Sequence, residues 1–168
     1  MSTPIWALAA DYWLHMLATV LWIGGLTVLS LIVLPSAKKT LDGPTFTRFF
    51  DQIQRRPDPL GWLSIVVLIV SGMIQMSASD NYDGFLSFTG LWSGVILVKH
   101  ILYGVMVVIS GYVTWSLVPA IRRSELLLAV DKTAPTTDRH EERLHLFSQI
   151  NFVLGIFVLL LTAIARAA

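Results

Sequence analysis

Two histidines lie inside long apolar segments, and each precedes a proline by nearly the same number of residues. His15 lies 20 residues before Pro35, and His100 lies 19 residues before Pro119. At about 1.5 Å of rise per residue, both imidazoles lie roughly 28–30 Å from the same end of their segments. Because an ionisable group inside a membrane span is costly and usually functional, this matched depth predicts a pair of ligands.

The composition indicates an integral membrane protein. Of 168 residues, 55% are hydrophobic and 14% are charged, whereas soluble domains carry about 25% charged residues. The chain has no cysteine, which excludes disulfides, thiolate metal sites and cysteine nucleophiles. No basic face stands apart from the charges that membrane topology requires, so nucleic-acid binding is not expected.

Four apolar runs are long enough to cross a bilayer, which takes about 20 residues. They predict an all-α fold: a single transmembrane domain over residues 1–168 that forms a four-helix up-and-down bundle. Short connections make successive helices neighbours, so the first and third lie diagonally across the core. The predicted helices are Ile5–Leu34, Leu60–Met76, Leu91–Val118 and Leu146–Ala165.

The basic residues predict the orientation, because cytoplasmic loops carry an excess of Lys and Arg. The second connection holds Asp80 and Asp83 but no basic residue, so both termini are expected outside, in a multi-pass protein of the plasma or inner membrane. The first and third connections hold Lys38, Lys39, Arg48, Arg55, Arg56, Arg122, Arg123, Lys132, Arg139 and Arg143. An outer aromatic belt is expected from Trp6, Tyr12, Trp13, Phe85, Phe88 and Trp92.

Facing each other across the bundle axis, His15 and His100 would suit the two axial positions of a b-type haem. Trp22 and Gly25 continue the helix face of His15. Gly104 and Gly111 fall on the face of His100, and such small residues leave room for a flat macrocycle. The alternative is that these glycines only allow close helix packing.

Lys99 is a second costly residue in the third segment. Its side chain leans toward the helix N-terminus, here the outer surface. Asp11, one turn outward of His15, is its predicted partner, and a haem propionate is another. The alternative is that the lysine only snorkels to the headgroups.

A copper site is the alternative to haem. Met73 and Met76 end the second segment on the outer side, and Met16 follows His15. Thioether and imidazole ligands together suit Cu(I), although methionine is also an ordinary apolar filler. Ser71 and Gln75, one turn apart, are expected to line the same cavity.

The first segment resembles a known family. The run His15-Met-Leu-Ala-Thr-Val-Leu-Trp22-Ile-Gly-Gly25 is similar to the first helix of the copper-resistance D (CopD) membrane proteins. Val70-Ser71-Gly72 and Leu97-Val98-Lys99 resemble its second and third helices. The resemblance implies copper uptake or tolerance. The His15 to Trp22 spacing also resembles that of HemJ-type protoporphyrinogen oxidases, which implies a haem-binding membrane fold.

The leading functional hypothesis is a cytochrome-like electron-transfer protein that holds one b haem between His15 and His100. It would act in the lipid bilayer with a redox partner or within a larger membrane complex, and without catalytic activity of its own. A CopD-like protein that binds copper through His15, His100, Met16, Met73 and Met76 is the first alternative. A cofactor-free assembly or anchoring subunit is the second.

Overall fold

Every regular element in the described part of the chain is a helix. The computed structural model describes residues 4–41, 45, 49, 52, 57–79, 90–130 and 138–167. The elements are α1 (Ile5–Val28), a first π-helical segment (Leu29–Val33), α2 (Leu34–Thr40), α3 (Pro57–Ser77), α4 (Leu91–Tyr112), a second π-helical segment (Val113–Leu117), α5 (Val118–Val130) and α6 (Asp138–Ala167).

These elements join into four helices that are long and apolar enough to cross a membrane, which confirms the predicted all-α membrane class. We call them the first span (Ile5–Thr40), the second span (Pro59–Ser77), the third span (Leu91–Ser124) and the fourth span (Arg139–Ala167). Outer and inner below refer to the orientation that the basic residues predict. Parts of the predicted connections lie outside the described residues, including Asp80, Asp83, Phe85, Phe88, Arg48, Arg55, Arg56 and Lys132.

The helices are longer than their apolar runs. The apolar runs of the first and third helices end at Leu34 and Val118, and the chain stays helical to Thr40 and to Val130. The fourth helix begins at Asp138, eight residues before the apolar run that starts at Leu146. The hydropathy pattern marks the part of a helix that lies in lipid, and polar turns extend each helix beyond it.

A π-helical segment precedes each of the two prolines. In the first span the N–H of Leu34 bonds to the carbonyl of Leu29, and in the third span the N–H of Val118 bonds to the carbonyl of Val113. Proline lacks an N–H, and its ring clashes with the carbonyl four residues earlier. The wider π turn relieves that clash, so Pro35 and Pro119 interrupt the hydrogen bonding without ending the helix.

The four spans pack as a ring in which the first span lies between the second and the fourth, and the third lies beside the fourth. The first and third spans are therefore diagonal, as predicted. Two clusters of buried side chains form the core. The outer cluster is Ala18, Trp22, Ile65, Leu68, Met106 and Val158; the inner cluster is Leu34, Ala37, Leu117, Ile121 and Leu144.

Leu144 and Leu146 offer a matched test of the inner cluster. Leu144 is 0% exposed, whereas Leu146, on the same helix, is 53% exposed. Leu144→Ala leaves a cavity, and we expect it to lower the free energy of unfolding by about 2 kcal/mol or more. Leu146→Ala should change it much less, because its side chain faces lipid. Denaturant titration in detergent measures both, and equal losses would contradict this packing.

Candidate functional site

His15 is held through its Nδ1 atom by the second span. The Nδ1 atom lies 2.7 Å from Oγ of Ser71, and the Ser71 hydroxyl donates to the carbonyl oxygen of Val67 at 2.5 Å. A serine hydroxyl has one proton to donate, so Ser71 accepts from the Nδ1–H of His15. The neutral imidazole then keeps its unprotonated lone pair on Nε2.

A glycine lets the His15 ring lie against the second span. A Cβ atom built on Gly72 would lie 3.5 Å from Cε1 of His15, which is ordinary van der Waals contact. The His15 ring therefore lies beside Gly72, and the hydrogen bond to Ser71 orients it. The second span, which is a neighbour of the first, sets the orientation of His15.

Charged groups from three spans act on His15. Asp11 accepts a hydrogen bond from Nε2 of Gln75 at 3.0 Å, one turn beyond Ser71 on the same face. The charges of Lys99, Asp11 and Arg166 all act electrostatically on the His15 imidazole. The Arg166 guanidinium also lies 4.5 Å from the centre of the Tyr12 ring.

We call the group of Asp11, His15, Ser71, Gln75, Lys99 and Arg166 the outer polar cluster. Each of the four spans contributes at least one of its members. An arginine near the end of the fourth helix was not among the predicted site residues, because a terminal basic residue is an ordinary feature of a helix end.

His100 is held by its own helix. Its Nδ1 atom lies 2.7 Å from the carbonyl oxygen of Ile96, and a carbonyl only accepts. The Nδ1 atom therefore donates, and the proton of the neutral ring is on that atom. The two histidines have the same tautomer. His15 is oriented by a side chain of the neighbouring second span, and His100 by a carbonyl in the preceding turn of its own helix.

The other residues predicted beside a haem have packing roles. Trp22 is 6% exposed and meets Tyr103 edge to face, with ring centres 5.3 Å apart. The Tyr103 hydroxyl donates to the carbonyl of Ile65 at 2.8 Å. These contacts fill the space between the diagonal first and third spans.

The glycines of the third span have two different environments. A Cβ on Gly111 would lie 3.1 Å from Cζ3 of Trp115, whose ring stacks on that of Trp62 at 4.7 Å. Gly111 therefore makes room for an indole of its own helix. A Cβ on Gly104 would meet no heavy atom of the described residues within 4 Å.

The methionines separate into exposed and buried side chains. Met16 is 60% exposed and Met73 is 54% exposed, so both face lipid. Met76 is 8% exposed and lies four residues after Gly72, hence on the helix face that contacts His15. Of the three predicted thioether ligands, only Met76 is buried on that side.

A cavity in the bundle lies away from both histidines. Haem binding between them is not supported. A cavity of about 500 Å³ is lined by Trp22 and Gly25, among others, and by neither His15 nor His100. Within the described ranges, no group of three or more His, Cys, Asp or Glu side chains is placed to hold a metal ion.

The fold and the outer polar cluster define a class: a four-helix integral membrane protein with polar side chains gathered inside one end of the bundle. The chain belongs to the copper resistance protein D (CopD) family, whose model matches residues 51–165. That match takes in the second, third and fourth spans. His15 and Asp11 lie before it.

One curated relative is a UPF0182 protein of Corynebacterium glutamicum, which is 26% identical over 119 residues. The match covers 67% of this chain and 12% of the relative, so the chain spans about an eighth of that protein's length. No solved structure matches the chain.

The hydrogen bond between His15 and Ser71 predicts a tautomer that can be measured. In the wild-type protein, imidazole ¹⁵N NMR should show the proton of His15 on Nδ1. Ser71→Ala removes the acceptor, so we expect a mixture of tautomers at His15 and no change at His100, whose acceptor is Ile96. A wild-type spectrum with the His15 proton on Nε2 would contradict this geometry.

Proposed function

We propose that this protein handles copper at the outer side of the membrane, and that Cu(I) binds as cargo at the outer polar cluster. Membership of the CopD family supports a link to copper resistance. The observation that carries the proposal is the orientation of His15. Its Nδ1–H is engaged by Ser71, so Nε2 is the basic nitrogen.

A ligating histidine almost always donates its other ring N–H to a fixed acceptor, which sets the tautomer and the ring plane. Ser71 supplies that acceptor here, and its own proton is committed to Val67. The arrangement therefore supports His15 as a metal ligand rather than as a histidine that only joins two helices.

Met76 is the partner ligand that the structure favours. Thioether sulfur and imidazole nitrogen are soft or intermediate donors, which select Cu(I) over harder ions. Met76 is buried on the face of the second span that holds His15. Met16 and Met73, the other predicted thioether ligands, are exposed on the lipid side.

The charges around His15 support transient rather than permanent binding. Asp11 favours a cation, whereas Lys99 and Arg166 oppose one. A site in which two cations face one carboxylate binds a further cation less tightly than a ring of carboxylates does, and release is then easier. We infer that copper is passed on from this site rather than stored there.

The two methionines of the second span give a matched test of the ligand set. Both Met76→Leu and His15→Leu should weaken Cu(I) binding by more than about tenfold, as measured by competition with a colorimetric Cu(I) chelator. Met73→Leu is the same substitution one turn away on the lipid face and should bind like the wild type. If all three variants bind like the wild type, the proposed site is wrong.

The same ligand set makes a cellular prediction. Cells that express the wild-type protein should differ from control cells in copper content and in growth at raised copper, and cells that express His15→Leu or Met76→Leu at equal membrane level should not.

Elemental analysis of purified protein, with its visible spectrum, separates this proposal from the haem hypothesis. A porphyrin band with matching iron that is lost in both His15→Ala and His100→Ala would favour the haem.

Asp11 and Lys99 should change copper affinity in opposite directions. Asp11→Asn removes a negative charge near the cation and should weaken Cu(I) binding, whereas Lys99→Met removes a positive charge and should strengthen it. We expect changes of roughly threefold to tenfold, the scale of about 1 kcal/mol between charges at a wet boundary. Raising the salt concentration should shrink both changes, and changes of the same sign would contradict the proposed position of the copper.

A further inference from the structure

A cavity in the described part of the protein lies deeper in the membrane than the outer polar cluster. Its volume is about 500 Å³, within the range of roughly 300–1,000 Å³ that small-molecule sites occupy. It lies between the two hydrophobic core clusters. Trp22 and Ile65, of the outer hydrophobic cluster, line one end. Leu29 and Phe147, which pack on the inner hydrophobic cluster, line the other end.

One wall of the cavity has a polar group that could accept a hydrogen bond from a ligand. Asn151 is 3% exposed and lines the cavity together with Ser110 and Ser148. Its Nδ2 donates to Oγ of Ser110 at 2.9 Å, whereas its Oδ1 has no hydrogen-bond partner among the described residues. A buried carbonyl oxygen without a partner is energetically costly, so a ligand that places a hydrogen-bond donor in the cavity would remove that cost.

Another part of the cavity lining is formed by glycines and aromatic side chains. Gly24 and Gly25 both line the cavity, and a Cβ atom built on either would meet no atom of the described residues within 4 Å. The indoles of Trp22 and Trp62 also line it. Glycine backbone and indole faces together suit a planar ring, because aromatic rings stack in offset or edge-to-face arrangements.

The mouth of the cavity faces lipid. Among its lining residues, Val20 is 68% exposed, Leu60 is 53% exposed and Val28 is 49% exposed. These side chains belong to the first and second spans, so the opening lies between the two. A molecule that reaches this cavity through such an opening comes from the hydrocarbon part of the bilayer.

We propose that this cavity binds a hydroxylated aromatic ring with an apolar tail, such as a phenol or hydroquinone lipid, taken laterally from the membrane. The ring lies between the indoles and the glycine pair, its hydroxyl donates to Oδ1 of Asn151, and the tail leaves between the first and second spans. Both π-helical segments line the site through Leu29, Val33, Val113 and Thr114, and π turns often occur at functional sites. The proposal does not depend on copper, because the cavity shares no residue with the outer polar cluster.

The test compares two probes with the 168-residue chain in detergent micelles. Para-decylphenol carries the hydroxyl donor, and its methyl ether, para-decylanisole, has the same ring and tail without the donor. We expect the phenol to bind saturably in calorimetric titration and to raise the Tm, as a ligand of the folded state does. The ether should bind about tenfold more weakly, because Asn151 Oδ1 then gains no donor.

Cavity-filling variants test the location. Gly25→Leu places a side chain in the cavity without a backbone clash and should abolish the phenol-dependent rise in Tm; Gly24→Leu is a second such variant if the first does not fold. Gly94→Leu is the control, because a Cβ there also meets no described atom within 4 Å and Gly94 does not line the cavity. It should bind both probes like the wild type.

Asn151→Leu should make the two probes bind equally. Equal binding of phenol and ether to the wild type would overturn the role of Asn151. Unchanged phenol binding by folded Gly25→Leu and Gly24→Leu would show that the probe sits elsewhere, at the lipid-facing surface, and would overturn the site itself.

Discussion

Every backbone polar group of a membrane span must find a partner inside the protein. Pro35 and Pro119 each remove one backbone N–H from a span, at matching positions in the first and third spans. Each is preceded by a π-helical segment that lets the helix continue past the proline. The two segments lie on diagonal helices. They separate an outer half of the bundle, packed around Trp22 and Met106, from an inner half packed around Leu117 and Leu144, and the cavity lies at this boundary.

The polar side chains are gathered at two levels with different chemistry. The outer level combines an imidazole, a carboxylate and two cations that act on one another, with hydroxyl and amide groups that hold the imidazole and the carboxylate. The deeper level is neutral and is made of an amide and hydroxyls. Charge near the membrane surface suits an ion, and neutral polarity in the hydrocarbon suits a molecule already dissolved there. The division follows from the cost of charge, which rises with depth.

The sequence predicted the fold better than the site. Length and hydropathy are sufficient for four spans, because a run of about 20 apolar residues matches the thickness of the hydrocarbon layer. They place the ends of two apolar runs at Leu34 and Val118, and each helix continues beyond its run because a π turn accommodates the following proline. The pairing of Asp11 with Lys99 stays a prediction; the charges of both act on His15.

The rotation of each helix about its own axis was not predictable. A span that is apolar on all sides has no amphipathic pattern to indicate its inward face, so nothing in the sequence directed His15 toward Ser71 rather than toward His100. For the same reason the pattern could not show that Met76 is buried and Met73 exposed. Gly111 is an example. From the sequence, its small size was interpreted as room for a haem, whereas in the structure it makes room for the Trp115 ring of its own helix.

The π-helical segments also make the packing of each of these two spans depend on its exact number of residues. Each segment accommodates one extra residue compared with an uninterrupted α-helix, so the inner half of the helix is turned by about 100°. Loss of a single residue from Leu29–Val33 would rotate Leu34 and Ala37 away from the inner core cluster while Ala18 and Trp22 stayed in place. In alignments of related chains, a one-residue gap at this position would therefore signal a different packing of the inner half, even where every apolar residue is retained.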